Sequence, residues 1–274
     1  MFRSSDLRQS EARMKRLSRT AAVVLLLFPA YAVFAYVVMP VSWRQYHRIA
    51  GLPRAAGVTR TAEGLSADPL NVAFVGSPSD VATAMGAAGW TRADRISIRS
   101  GVRDATSVVF HRPYDSAPVS THVLLGRPQD LAFEQTVGGS PRQRHHVRLW
   151  RVSRPADPRD TLWIGAASYD RSVGLSPYTG EVIHHIETRV DTERDKLVAD
   201  LEETGRLARV DRVERWGAAG RGRNGSGDAW ETDGSICVVV LGPAVERPAA
   251  GGTEEVLQAL RTAIFGAGDP GAAS

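Results

Sequence analysis

Residues 21–43 run for 23 positions without one ionisable acid or base, and this stretch constrains the chain more than anything else in it. At about 1.5 Å per residue, its strictly apolar part, 21–39, extends roughly 28 Å, close to the hydrocarbon core of a bilayer at roughly 30 Å. A soluble helix of that length needs a polar face, and this one has none. Pro29 stands mid-span, which lipid-embedded helices tolerate, and Trp43 and Tyr46 suit an interfacial aromatic belt. The reading is a single transmembrane helix over 21–43. The alternative is a cleaved secretory signal, with Val33-Phe34-Ala35 as the small-x-small site. The apolar run continues past that site to Met39, which favours a retained anchor.

Flanking cations set the orientation. Arg3, Arg8, Arg13, Lys15, Arg16 and Arg19 precede the span, while Arg44, Arg48 and Arg54 follow it. The richer flank stays cytoplasmic, so the large C-terminal part is expected outside the cytoplasm. Of 34 bases and 30 acids, six and two fall in residues 1–20, so 28 of each remain beyond them. The high pI therefore belongs to the cytoplasmic flank, where it meets anionic headgroups, and a nucleic-acid role is not expected.

Beyond the span, 44–67 reads as a linker rich in Ala, Gly, Pro and Arg. Residues 68–242 read as one compact domain, and 243–274 as a flexible tail with a short helix over 253–265. Helices are predicted after Gly76-Ser77-Pro78-Ser79-Asp80, over 102–110 and over 191–203. Strands are predicted over 70–75, 119–125, 131–137, 144–152, 162–169, 181–186, 210–216 and 236–241. Consecutive hairpins with few helices between them give a mostly antiparallel α+β domain.

Cys237 is the single cysteine, so no intrachain disulfide forms; in the run 236–241 it reads as a small buried hydrophobe. Gly220-x-Gly222-x-x-Gly225 matches a dinucleotide fingerprint in letters only, because Ser226-Gly227-Asp228 starts no helix. Metalloprotease, nucleophile-elbow, Walker and CxxC motifs are absent from the sequence.

What remains is two histidine pairs, His145-His146 and His184-His185. On strands, adjacent members face opposite ways, so one member of each pair can line a shared site. With Asp170 or Asp191 as carboxylate, the set suits acid–base work or a divalent metal; the alternative is hydrogen-bonded structural histidines. Ahead of the first pair, Gly138 and Gly139 let backbone amides approach an anion, and Arg142 and Arg144 share one side of an extended chain. The alternative there is a polar turn with solvated arginines.

The same residues resemble the LssY C-terminal domain family. The resemblance runs in order through Asp68-Pro69-Leu70-Asn71-Val72-Ala73, Arg112-Pro113-Tyr114, Ala117-Pro118-Val119-Ser120 and Gly126 to Phe133. It continues through Gly138 to Trp150, Trp163 to Arg171, His184-His185-Ile186, Asp191 to Asp195 and Arg223-Asn224-Gly225. One departure is Glu187-Thr188, where the family pattern has Asp-Pro. The resemblance brings no established activity. It implies a setting in membrane lipid or lipid-phosphate chemistry, because the domain also occurs appended to multi-spanning regions of the DedA and PAP2-phosphatase kinds. The Ser-Gly-His element of the latter is missing here, so their activity does not transfer. Two functions are expected from this: a membrane-anchored binding or accessory module of the bacterial cell envelope, or an extracytoplasmic hydrolase using these His and Asp residues.

Overall fold

A computed structural model describes residues 23, 25–39, 41–42, 57–62, 64–93, 120–138, 140–152, 161–175, 182–217, 220–242 and 253–265. The expected helix over 102–110 lies outside them. Within the uncharged run, residues 25–39 are helical, with a π-helical turn at Phe34–Val38 in which the Met39 N–H donates to the Phe34 carbonyl. Among the described residues no helix is long and apolar enough to cross a membrane.

The folded body is α+β and mostly antiparallel. Its main sheet has the order β11-β14-β3-β9-β8-β7-β4, with β10 also paired to β9. In chain order these are β3 (Val72–Val75), β4 (Thr91–Arg92), β7 (Leu131–Val137), β8 (Ser140–Arg151), β9 (Leu162–Leu175), β10 (Val182–Ile186), β11 (Leu207–Val213) and β14 (Ile236–Leu241). Among the described strands of this sheet, only the β3–β14 pairing is parallel. A second sheet, β2-β1-β5-β6, is built from β1 (Val58–Thr61), β2 (Ser66–Pro69), β5 (His122–Leu124) and β6 (Arg127–Pro128). A hairpin, β12 (Gly220–Arg223) with β13 (Ala229–Thr232), completes the strands. The glycine motif thus sits on a hairpin, not at a strand-to-helix turn.

Period-two alternation divides the main sheet into two buried faces. Val72, Phe74, Val147, Leu149, Trp163, Val239 and Leu241 meet helices α1 (Pro78–Ala87) and α2 (Val190–Glu202) through Val81, Met85, Leu197 and Leu201. Helix α1 starts where expected: Ser77 and Asp80 form a reciprocal capping box and Pro78 occupies the first turn. On the other face, Ala73, Val75, Trp150, Ile164 and Val238 meet α3 (Thr253–Phe265) through Leu257 and Leu260. The packed body therefore extends past 68–242 at both ends. Strand β1 lies in the expected linker, and the helix expected in the tail is docked through its apolar stripe.

Strand β9 is long enough to serve two partners along one edge, pairing β3 through Leu162–Gly165 and β10 through Asp170–Leu175. Asn71 bridges the gap between them. Its carboxamide donates to the Ala167 carbonyl at 3.0 Å and accepts the Ala167 N–H at 2.9 Å, as a strand backbone would.

Candidate functional site

Alternation on β8 puts Arg144, His146 and Arg148 on the face opposite Val147 and Leu149. Their neighbours on β9 include Asp170, opposite Arg144, and Ser168, opposite His146. The second sheet closes over them with Asp68 from β2, Thr59 from β1 and His122 from β5. Asp68 Oδ2 is the hub: it accepts from Arg148 Nη1 at 2.8 Å and Ser168 Oγ at 2.9 Å, with His122 Nδ1 at 3.6 Å. Ser168 Oγ also bonds His146 Nε2 at 3.0 Å. At the other end Arg144 donates to Asp170 Oδ2 at 3.0 Å and to Glu134 Oε2 at 3.1 Å. His146 Nδ1 and His184 Nδ1 approach the two Asp170 oxygens at 3.5 and 3.3 Å without hydrogen-bond geometry. Apart from the edges of His122 and His184, the cluster is sealed.

The histidine pairs split as strand geometry requires. Strands β8 and β10 are not neighbours; both flank β9, and Asp170 is the residue between them. His146 and His184 turn to it. His145 instead joins α2, with Nδ1 2.7 Å from Glu193 Oε2 and its ring 4.8 Å from that of Tyr169. His185 Nδ1 lies 2.8 Å from Asp228 Oδ1 beside the β12–β13 hairpin. Asp191 is elsewhere, bonded to Arg194, Thr232 and the Asp233 N–H at the start of α2.

Electrostatics follow burial and partners. Burial pushes the His184 imidazole down to about 4 and, with Arg148 beside it, His122 down to about 3. Burial opposes ionisation of Asp170, but His146, His184 and Arg144 outweigh it and hold the carboxyl at about 2. Asp68 is likewise held well below the usual range, by His122, His146 and Arg148 against burial. Burial raises the Glu193 carboxyl despite His145, and pushes the Cys237 thiol up, as suits a buried structural cysteine.

The expected anion pair is divided. Arg144 is buried and holds two carboxylates, whereas Arg142 is exposed. Gly138 takes a left-handed φ of 58° at the turn into β8, and Gly139 lies outside the described residues.

A family model described as the LssY C-terminus matches residues 48–236, well over half of the chain. The chain belongs to the LssY C-terminus family. No curated protein and no solved structure matches the chain. The family region contains every residue of the cluster from Asp68 to His184, together with Glu193 and Asp228. It ends at the first residue of β14, so α3 and most of β14 lie beyond the matched region of this LssY C-terminus domain.

Sequence reasoning missed Asp68, His122, Glu134, Arg148, Ser168, Glu193 and Asp228. Part of the signal was present: Arg144, His146 and Arg148 recur every second residue, so three polar side chains share one strand face. Ser168 ends the apolar run 162–167, and Glu134 opens the polar trio Glu134-Gln135-Thr136. Asp68 and His122 come from a second sheet whose position no local pattern encodes. For a divalent metal the fit is poor. Among the described residues no three His, Cys, Asp or Glu form a metal-holding group, and Arg144 already occupies Asp170 Oδ2.

Proposed function

We propose that this LssY C-terminus domain is held at the cell membrane by a single N-terminal span and serves outside the cytoplasm as a binding module for phosphate-bearing lipid headgroups. In this reading it is an accessory to multi-spanning lipid enzymes of the DedA or PAP2 kinds. Support for the anchor comes from the uncharged run and from the outward-facing apolar side chains along it, Leu25 at 77 % and Phe28 at 71 % exposure among them. The observation that carries a binding rather than a catalytic reading is the state of the histidine cluster. Its aspartates are met by Arg144 and Arg148 and sealed between two sheets, which suits a rigid support better than an open reaction centre.

Arg142, exposed beside the Gly138 turn, is the guanidinium that this reading assigns to the phosphate. Titration of the full chain in detergent with phosphatidic acid should show saturable binding that phosphatidylcholine does not reproduce. Arg142→Glu is expected to weaken it about ten-fold or more. Equal binding of both lipids, or an unaffected Arg142→Glu variant, would remove the phosphate site.

The hydrolase reading keeps one specific support. His145 is partly exposed, with Nδ1 on the buried Glu193 carboxylate, an arrangement that fixes an imidazole for proton transfer from its other nitrogen. Turnover of a phosphoester by the same preparation, abolished in His145→Ala, would favour it.

A further inference from the structure

Strand β11 ends the main sheet. It pairs β14 on one side, and no described strand pairs its outer edge. An open edge of seven residues exposes backbone donors and acceptors at every second position and is a template for another strand. The sequence along it is self-complementary. Reading outward from Val210 in an antiparallel pair, Arg209 falls opposite Asp211, within the part of the strand that runs regularly from 209 to 213. Arg209 and Asp211 stand on one face, 2.6 Å apart within the chain, with side chains 35 % and 28 % exposed.

The geometry points to a homodimer in which β11 pairs with β11 of a second copy about a two-fold axis through Val210. Two Arg209–Asp211 contacts then cross the interface, one on each side of the axis. An isologous contact is favoured where a charge meets its opposite when the strand is reversed, and Arg209 and Asp211 about Val210 meet that condition. Other edge partners need no such symmetry, so the second copy is the occupant the pattern selects. The bulge between Leu207 and Arg209 leaves 209–213 regular, which places the axis in the regular part.

Sedimentation of the full chain in detergent tests this. The wild-type chain is expected to be a dimer. Arg209→Asp and Asp211→Arg each set like charges opposite one another and should weaken the dimer about ten-fold or more. Mixed together, the two variants regain opposite charges and should form a heterodimer. The double variant R209D/D211R should dimerise like wild type, and it stands as the test if a single variant fails to fold. A monomeric wild type, a dimer indifferent to both reversals, or a monomeric double variant would overturn the inference. Dimerisation through the membrane helix alone is recognised by that indifference.

Discussion

Asp68, Asp170 and Glu134 stand with Arg144 and Arg148 in the space between the two sheets, and the imidazoles of His122 and His184 are lodged among them. Each imidazole takes up a proton far less readily there than in an unfolded chain, where the ordinary value is 6.5. As the pH falls below 6.5 the unfolded chain binds protons that the folded chain refuses, until about 4 for His184 and about 3 for His122. Their contribution to stability is therefore fully present above 6.5 and drains away across that interval. Asp170, held at about 2, adds a second loss beginning below 3.8. Thermal unfolding of the full chain should show a flat stability above pH 7 and a loss between pH 6.5 and 4 on the order of 3 kcal/mol from each of the two imidazoles. His184→Gln should flatten part of that slope. A stability unchanged down to pH 4 would mean that the imidazoles are not enclosed in this way. At this scale the sequence marks His184 but not its state, and does not mark His122, because strands distant in the chain enclose both.

Helix α3 shows how an element gains its place. Its apolar stripe is legible in Val256, Leu257, Leu260 and Ile264, yet its surroundings are small, Gly-rich and uninformative. Leu257 and Leu260 are buried at 3 % and 0 % exposure, the Phe265 ring lies 5.7 Å from that of Trp216, and Thr253 Oγ1 donates to Asp211. Removing residues 243–274 uncovers the face formed by Ile236, Val238 and Trp150. Two buried leucines contribute about 3–6 kcal/mol together, so the chain ending at 242 should unfold at a clearly lower urea concentration than the full chain. Equal midpoints would make the helix peripheral. Helix α2 was more legible because its charged face, apolar stripe and Gly205 stop all lie within a few residues of one another.

For the molecule as a whole, the proposed topology rests on the asymmetry of charge about the uncharged run. Six bases precede the run, and beyond residue 20 the chain carries equal numbers of each sign. Protease added to spheroplasts is expected to digest the folded body, β1 onward, while sparing the first twenty residues. The protein should also resist extraction from membranes by alkaline carbonate. Protection of the body, or its release by carbonate, would overturn the anchored topology. With the proposed anchor, a β11–β11 dimer adds one geometric demand, that both N-terminal runs leave the assembly toward the same membrane.

The sequence by itself determined what short-range periodicity and composition carry. These include the uncharged run, the alternating strands around β7, β8 and β9, the capped start of α1, and the rule that one histidine of each pair turns away from the other. It also marked the Gly220 motif as unsuited to a dinucleotide, since no helix follows. The tertiary structure alone decided that β9 separates the two histidine strands and that β1 and β2 close over them. It decided too that Arg144 is spent on Glu134 and Asp170 rather than offered outward. The reason is physical: alternation fixes which face a side chain takes, but the depth of its burial and the charge it meets depend on strands distant in the chain, whose pairing is set by the packing of the whole sheet.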